Sequence, residues 1–195
     1  MASFLQLWIK KYCIFEGLSE CLGENGMIHL YTGDGKGKTT AAVGMAVRAA
    51  GHGMRVLFCQ FMKDGSSGEL TVLKKIKVQV YCSPPMKKLS FQMQKDEFDS
   101  ACHDMREAAS EALKLMEKLC PDMIILDELA TALGCGMISP ETARELIAKC
   151  GQTELVITGR NAPDWLREAA DYVSVIECVR HPYQSGTPGR AGIEW

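Results

Sequence analysis

Short uninterrupted apolar runs alternate along this chain with longer segments in which apolar residues recur every three or four positions. The runs at 27–32, 55–61, 77–81, 122–126, 154–158 and 172–179 have the length of strands and little polar interruption, and those at 27–32, 55–61 and 154–158 read as buried. The segment 39–50 places Ala, Val, Met and Arg in a helical pattern closed by Gly51 and Gly53, and 95–119 reads as one long amphipathic helix before Pro121 resets the chain. Ser139 followed by Pro140 marks another helix start, an N-cap with proline at the first helical position. Between these elements, 62–70 with Gly65, Ser66, Ser67 and Gly68 reads as a mobile loop. Residues 82–88, with Pro84-Pro85, read as a loop leading into Leu89-Ser90-Phe91. Strands alternating with helices predict an α/β fold: a parallel sheet with helices on both faces, in three layers, joined by right-handed crossovers.

The junction between the first strand and the first helix carries the chemistry. Gly33-Asp34-Gly35-Lys36-Gly37-Lys38-Thr39-Thr40 combines glycines, which let successive N–H groups converge on phosphate oxygens, with the mobile charge of Lys38 and a Thr39 hydroxyl able to reach magnesium. The helix that begins near Lys38 adds its positive end. A standard phosphate loop has four residues between its first glycine and the Gly-Lys pair, whereas Gly33 and Gly37 enclose three. A glycine hairpin in the core is the bland alternative, but it needs neither two lysines nor two threonines at a strand-to-helix junction. The loop therefore predicts a nucleotide-binding sheet of the P-loop NTPase-like, RecA type.

A second constellation follows from the first. Asp122-Met123-Ile124-Ile125-Leu126-Asp127-Glu128 has four apolar residues ending in acids, as a strand does that delivers a carboxylate opposite Thr39 to a magnesium nucleotide. If both acids are extended they point to opposite sides, so one of Asp127 and Glu128 meets the metal directly. Arg160 lies just past the strand at 154–158, where a guanidinium can clamp a phosphate; a surface or capping arginine is the competing reading. Arg48, on the first helix, is more ordinarily a salt-bridge residue.

Composition narrows the partners. The chain of 195 residues, 47% hydrophobic and 24% charged, has the size and balance of one domain. A net charge of -2 argues against nonspecific nucleic-acid binding, and no apolar stretch reaches the length of a membrane span. The apolar N-terminus lacks the features of a signal peptide, so a cytoplasmic protein is expected. Nine scattered cysteines, never spaced Cys-x-x-Cys, read as reduced core thiols, with a zinc site as the sharper alternative.

Five blocks taken together identify a resemblance. Tyr31 to Ala42 around the loop, Gln60-Phe61-Met62-Lys63, Leu126-Asp127-Glu128, Ile157-Thr158-Gly159-Arg160, and Arg180-His181-Pro182-Tyr183 with Gly192-Ile193-Glu194-Trp195 resemble the phosphate-loop ATP:corrinoid adenosyltransferases of the cobalamin pathway. The likeness covers residues 26–195, leaving 1–25 as an N-terminal extension or capping helix, and the shortened loop is itself a mark of that family. It implies transfer of the 5'-deoxyadenosyl group of ATP to the Co(I) centre of a reduced corrinoid, with triphosphate leaving. It also implies Mg2+, a reductase or flavoprotein electron donor, and a homodimer.

Under this resemblance Gly33, Asp34, Gly35, Lys36, Gly37, Lys38, Thr39 and Thr40 hold the triphosphate, Arg48 lies near the nucleotide, and Thr39, Asp127 and Glu128 serve the metal. Lys38, Glu128 and Arg160 take the catalytic roles, stabilising charge on the departing triphosphate. Leu89 and Phe91 match an apolar and aromatic segment that crowds the axial ligand of the corrinoid. Here one aromatic stands where the family has two, and Phe91 reads equally as a core residue. The alternatives are a phosphate-loop kinase or hydrolase, for which the apolar segment 129–137 offers no arginine-rich lid, and an ATP-dependent switch, which would release ADP.

Overall fold

In the computed structural model, residues 26–193 are described, apart from 64, 87, 89 and 152. The expected N-terminal extension, 1–25, and the corrinoid candidate Leu89 lie outside the described residues.

Six strands form the sheet: β1 (Ile28–Thr32), β2 (Val56–Gln60), β3 (Gln79–Cys82), β4 (Met123–Asp127), β5 (Glu154–Thr158) and β6 (Tyr172–Val175). Their order is β3-β2-β4-β5-β1-β6, and every pairing is parallel. The helices are α1 (Lys38–Gly51), α2 (Gly68–Lys75), α3 (Lys95–Leu119), α4 (Leu129–Gly134), α5 (Pro140–Cys150) and α6 (Asp164–Ala169), with short 3-10 turns at Ser90–Gln92 and Pro182–Ser185. The expected three-layer α/β architecture is observed.

Strand alternation explains the two cores. In the central strands, Leu57, Cys59, Ile124, Leu126, Leu155 and Ile157 join the cluster under α3, α4 and α5. Their neighbours Val56, Phe58, Met123, Ile125 and Val156 join the opposite cluster under α1 and α2. Burial on both faces is why these strands read as apolar runs without alternation. Helix α3 buries Ala101, Met105, Ala108, Ala109, Ala112 and Met116, a three-and-four spacing that makes one stripe. Its start is fixed by Glu97, which accepts the Gln94 N–H at 2.9 Å, and its end by Cys120 in the left-handed region (φ 42°) ahead of Pro121.

Three boundaries depart from the sequence reading. The predicted loop 62–70 runs into helix α2, which begins at Gly68 behind Ser67. The apolar segment after Glu128 is a short helix, α4. The last strand stops at Val175 and does not continue to 179, because the backbone of Ile176 turns to the phosphate loop: its N–H donates to Thr32 O at 2.8 Å and its carbonyl accepts from Gly35 N at 2.8 Å.

Candidate nucleotide site

Four buried polar residues end four neighbouring strands. Thr32, Gln60, Asp127 and Thr158 close β1, β2, β4 and β5, each with at most 1% of its surface exposed. Register explains their proximity, since Gln60 pairs with Asp127 and Tyr31 with Thr158. Polar groups are this deep in a sheet only where they bond one another or serve a ligand. Asp127 is fully bonded, whereas Thr32 Oγ1 and Gln60 Oε1 have no partner among the described residues.

The loop from Gly33 to Lys38 crosses above this row. Its first two glycines are dictated by close approach, since a Cβ at Gly33 would lie 2.5 Å from Ile176 O and one at Gly35 2.6 Å from Glu177 O. Gly37 is different. It has φ 119°, and a Cβ there would meet nothing within 4 Å, so its bare backbone faces open space at the start of α1. Lys38 is buried, its Nζ donating to Gly33 O at 2.8 Å and Gly35 O at 2.7 Å. Burial first, and then the nearby Arg160 guanidinium, lower its pKa, with Glu128, Asp34 and Asp127 pulling the other way.

Asp127 organises the centre. Its Oδ1 accepts from Thr39 Oγ1 at 2.9 Å and Thr158 Oγ1 at 2.7 Å, while Oδ2 accepts from Gln60 Nε2 at 3.0 Å and Lys63 Nζ at 2.9 Å. The next residue is not extended as the sequence alone suggests. Glu128 sits in the left-handed region (φ 63°) as the N-cap of α4, its N–H donating to Thr158 Oγ1 at 2.9 Å and its carboxylate accepting from the Thr131 hydroxyl. Thr131 Oγ1 in turn accepts the Arg160 N–H at 2.8 Å, so one threonine ties the two cleft-facing residues together. Gly159 permits this, because a Cβ there would lie 2.3 Å from Thr131 N.

Above these groups opens a cleft of about 580 Å3, floored by residues 35–40 and walled by Lys63, Glu69, Glu128 and Arg160, with His181 and Ile193 of the C-terminal segment at its rim. The structure thus gathers Lys36, Lys38, Thr39, Thr40, Glu128 and Arg160 in one place. Gly33 and Asp34, at the start of the loop, do not line the cleft. Arg48 is not brought to the cleft: it stands exposed in the last turn of α1, ten residues and about 15 Å along the helix from Lys38. Phe91 falls in the 3-10 turn Ser90–Gln92, on the segment that leaves the carboxyl end of β3.

Sequence reasoning assigns no role to Lys63, Gln60, Thr131, Thr158 or His181. Each of the first four has a partner at least 24 residues away, and His181, although inside one of the five blocks, sits at the rim without a role that the block itself supplies. Among the described residues no three His, Cys, Asp or Glu side chains gather as a metal would require. A zinc centre therefore has no cluster of donors there. Magnesium fits differently: the hydroxyl of Thr39 and the carboxylate of Glu128 are hard oxygen donors beside a cleft, and the rest of such a shell is ordinarily phosphate and water.

Comparisons with known proteins agree with this geometry. The corrinoid adenosyltransferase of Pseudomonas aeruginosa is 30% identical over 95% of this chain and 92% of that protein. That of Escherichia coli K12 is 32% identical over 91% and 90%. The corrinoid adenosyltransferase CobA of Salmonella typhimurium is 33% identical over 88% and 87%. Among solved structures, the flagellar accessory protein FlaH of Methanocaldococcus jannaschii superposes with a TM-score of 0.50 at 11% identity, over 77% of this chain and 71% of that one, a likeness of fold alone. The family described as ATP:corrinoid adenosyltransferase BtuR/CobO/CobP matches residues 24–195, and the chain belongs to that family.

Proposed function

We propose that the cleft binds ATP through residues 35–40 and that the protein transfers the 5'-deoxyadenosyl group to the Co(I) centre of a reduced corrinoid, releasing triphosphate. The observation that carries this reading is the shortened loop with its bare Gly37 facing open space and Lys38, Glu128 and Arg160 converging on it, in a chain of this family. Co(I) is itself a strong nucleophile, so no side chain has to be activated. The protein's work is to align the ribose 5' carbon with cobalt and to stabilise charge on the leaving triphosphate.

Each residue has a part in that work. The loop N–H groups and the N-terminus of α1 receive the phosphates, and the Lys38 ammonium leaves the Gly33 and Gly35 carbonyls to join them. Arg160 stabilises charge from the opposite wall. Thr39, with the carboxylate of Asp127 or Glu128, would hold Mg2+, which would supply further neutralisation of the triphosphate when bound. In the nucleotide-free chain Asp127, with all its acceptor positions bonded, orients Thr39. The segment Leu89-Ser90-Phe91 serves the corrinoid and crowds its axial ligand. Arg48 takes no part within the subunit. Residues 26–195 form the catalytic domain and 1–25 an extension. The protein works as a cytoplasmic homodimer with a flavoprotein or other reductase as electron donor; the free cysteines among the described residues accord with a reducing compartment. Among the described residues no helix is long and apolar enough to cross a membrane.

The test is an anaerobic mixture of the protein, MgATP and chemically reduced cob(I)alamin. Adenosylated product with stoichiometric triphosphate is expected. ADP or orthophosphate formed without corrinoid, and no adenosylated product, would replace this reading with a hydrolase or switch.

A further inference from the structure

Asp127 has no acceptor position to spare. A carboxylate offers four lone-pair positions, and Thr39, Thr158, Gln60 and Lys63 fill them at 2.7–3.0 Å. Three of these donors are neutral and one is a cation. The Lys63 ammonium also donates to Thr39 Oγ1 at 3.0 Å, so it sits between a carboxylate oxygen and a hydroxyl oxygen. In phosphate-loop proteins generally, that pair of groups serves a divalent ion.

Burial makes the positive charge necessary. The Asp127 side chain is wholly inaccessible, whereas that of Lys63 retains 27% of its surface. A carboxylate so deep, left without a cation, is strongly unfavourable. Lys63 is nevertheless able to leave: it follows Met62, held at φ 57°, on the connection between β2 and α2, its stem is flexible, and its head already lines the cleft.

We propose that Lys63 is a built-in counter-ion for the Thr39–Asp127 pair, and that Lys63 and a divalent cation compete for that pair, the ion displacing the ammonium into the cleft. Asp127 then keeps a positive neighbour in both states, and the nucleotide-free protein avoids holding a metal in an empty site. The alternative is a permanent ion pair that braces the sheet edge. This inference rests on reading the cleft as a metal–nucleotide site, but it concerns the metal alone.

Mn2+ binding to the full nucleotide-free chain, followed by electron paramagnetic resonance, separates the two. Lys63→Met should bind one Mn2+ per chain at least tenfold more tightly than the wild type, and Mn2+ should raise the Tm of that variant but not of the wild type. Lys63→Arg, which keeps the charge, should behave as wild type, and the added Asp127→Asn change should abolish the new site. If Lys63→Met does not fold, Lys63→Gln carries the same expectation. Equal Mn2+ affinity in wild type and the folded neutral variant, or a site that survives Asp127→Asn, would overturn the proposal. Neither ATP nor corrinoid is present, so failure here leaves the transfer reaction standing, and failure of the transfer assay leaves this competition intact.

Discussion

Lys38 is held where its charge is disfavoured until a polyanion arrives. Burial, then Arg160, lower its pKa below the ordinary lysine value. The folded chain therefore binds that proton less tightly than the unfolded chain. Stability rises as pH climbs from the folded pKa towards 10.5, and Lys38→Met should remove that slope in urea unfolding. A bound triphosphate favours the ammonium and pulls the pKa back up, so ATP binding in alkaline buffer should take up a proton. Calorimetry in buffers of differing ionisation enthalpy measures the uptake directly; Lys38→Arg, always charged, should bind without it. Asp127 makes the complementary case. Asp127→Asn keeps the shape but removes the charge opposite Lys63 and sets an amide donor against a ring of donors. A loss of about 3 kcal/mol is expected, at the low end for a broken buried pair because Lys63 keeps some contact with water. A denaturation midpoint close to wild type would show that the charge at Asp127 contributes little to folding.

At the scale of elements, the glycines of the phosphate loop divide into two kinds. Gly35→Ala would push a methyl to within 2.6 Å of the Glu177 carbonyl, so the strand exit at 176–177 must retreat and the fold should lose stability. Gly37→Ala meets no atom and bears only the strain of φ 119°, on the order of 1–3 kcal/mol, but its methyl enters the space left for phosphate. Unfolding and ATP titration of both variants should rank them oppositely: Gly35→Ala worse in stability, Gly37→Ala worse in ATP binding relative to its stability loss. Which elements the sequence discloses follows from the same physics. β5 at Glu154–Thr158 and α3 at Lys95–Leu119 are legible to the residue, because burial on two faces and a long single stripe leave distinct patterns. Helix α4 is not: Leu129, Ala130, Ala132 and Leu133 are all buried, and Thr131 alone among six residues is too little polar contrast to give a period. The loop, Glu128 and Arg160 are local motifs at strand ends. Lys63, Gln60, Thr131 and Thr158 enter the site through pairings between distant segments, which only the folded sheet brings together.

Across the whole molecule, charge is distributed against its sum. The chain carries a net charge of -2, yet the cleft brings Lys36, Lys38, Lys63 and Arg160 against Glu69 and Glu128. A positive recess on a mildly acidic protein attracts a small polyanion, while a chain of net negative charge is not expected to bind a long one nonspecifically. The cleft is open to solvent, so its field is subject to screening, whose range contracts from about 10 Å at 0.1 M salt to about 3 Å at 1 M. ATP affinity should therefore fall roughly tenfold over that change, whereas adenosine, which carries no charge to be screened, should bind equally at both ends. Duplex DNA should not displace ATP at either salt concentration. A parallel loss of adenosine binding would mean that salt acts on the fold itself. Displacement by DNA would mean that the positive recess extends into a surface able to follow a phosphate backbone, contrary to the charge balance of the chain.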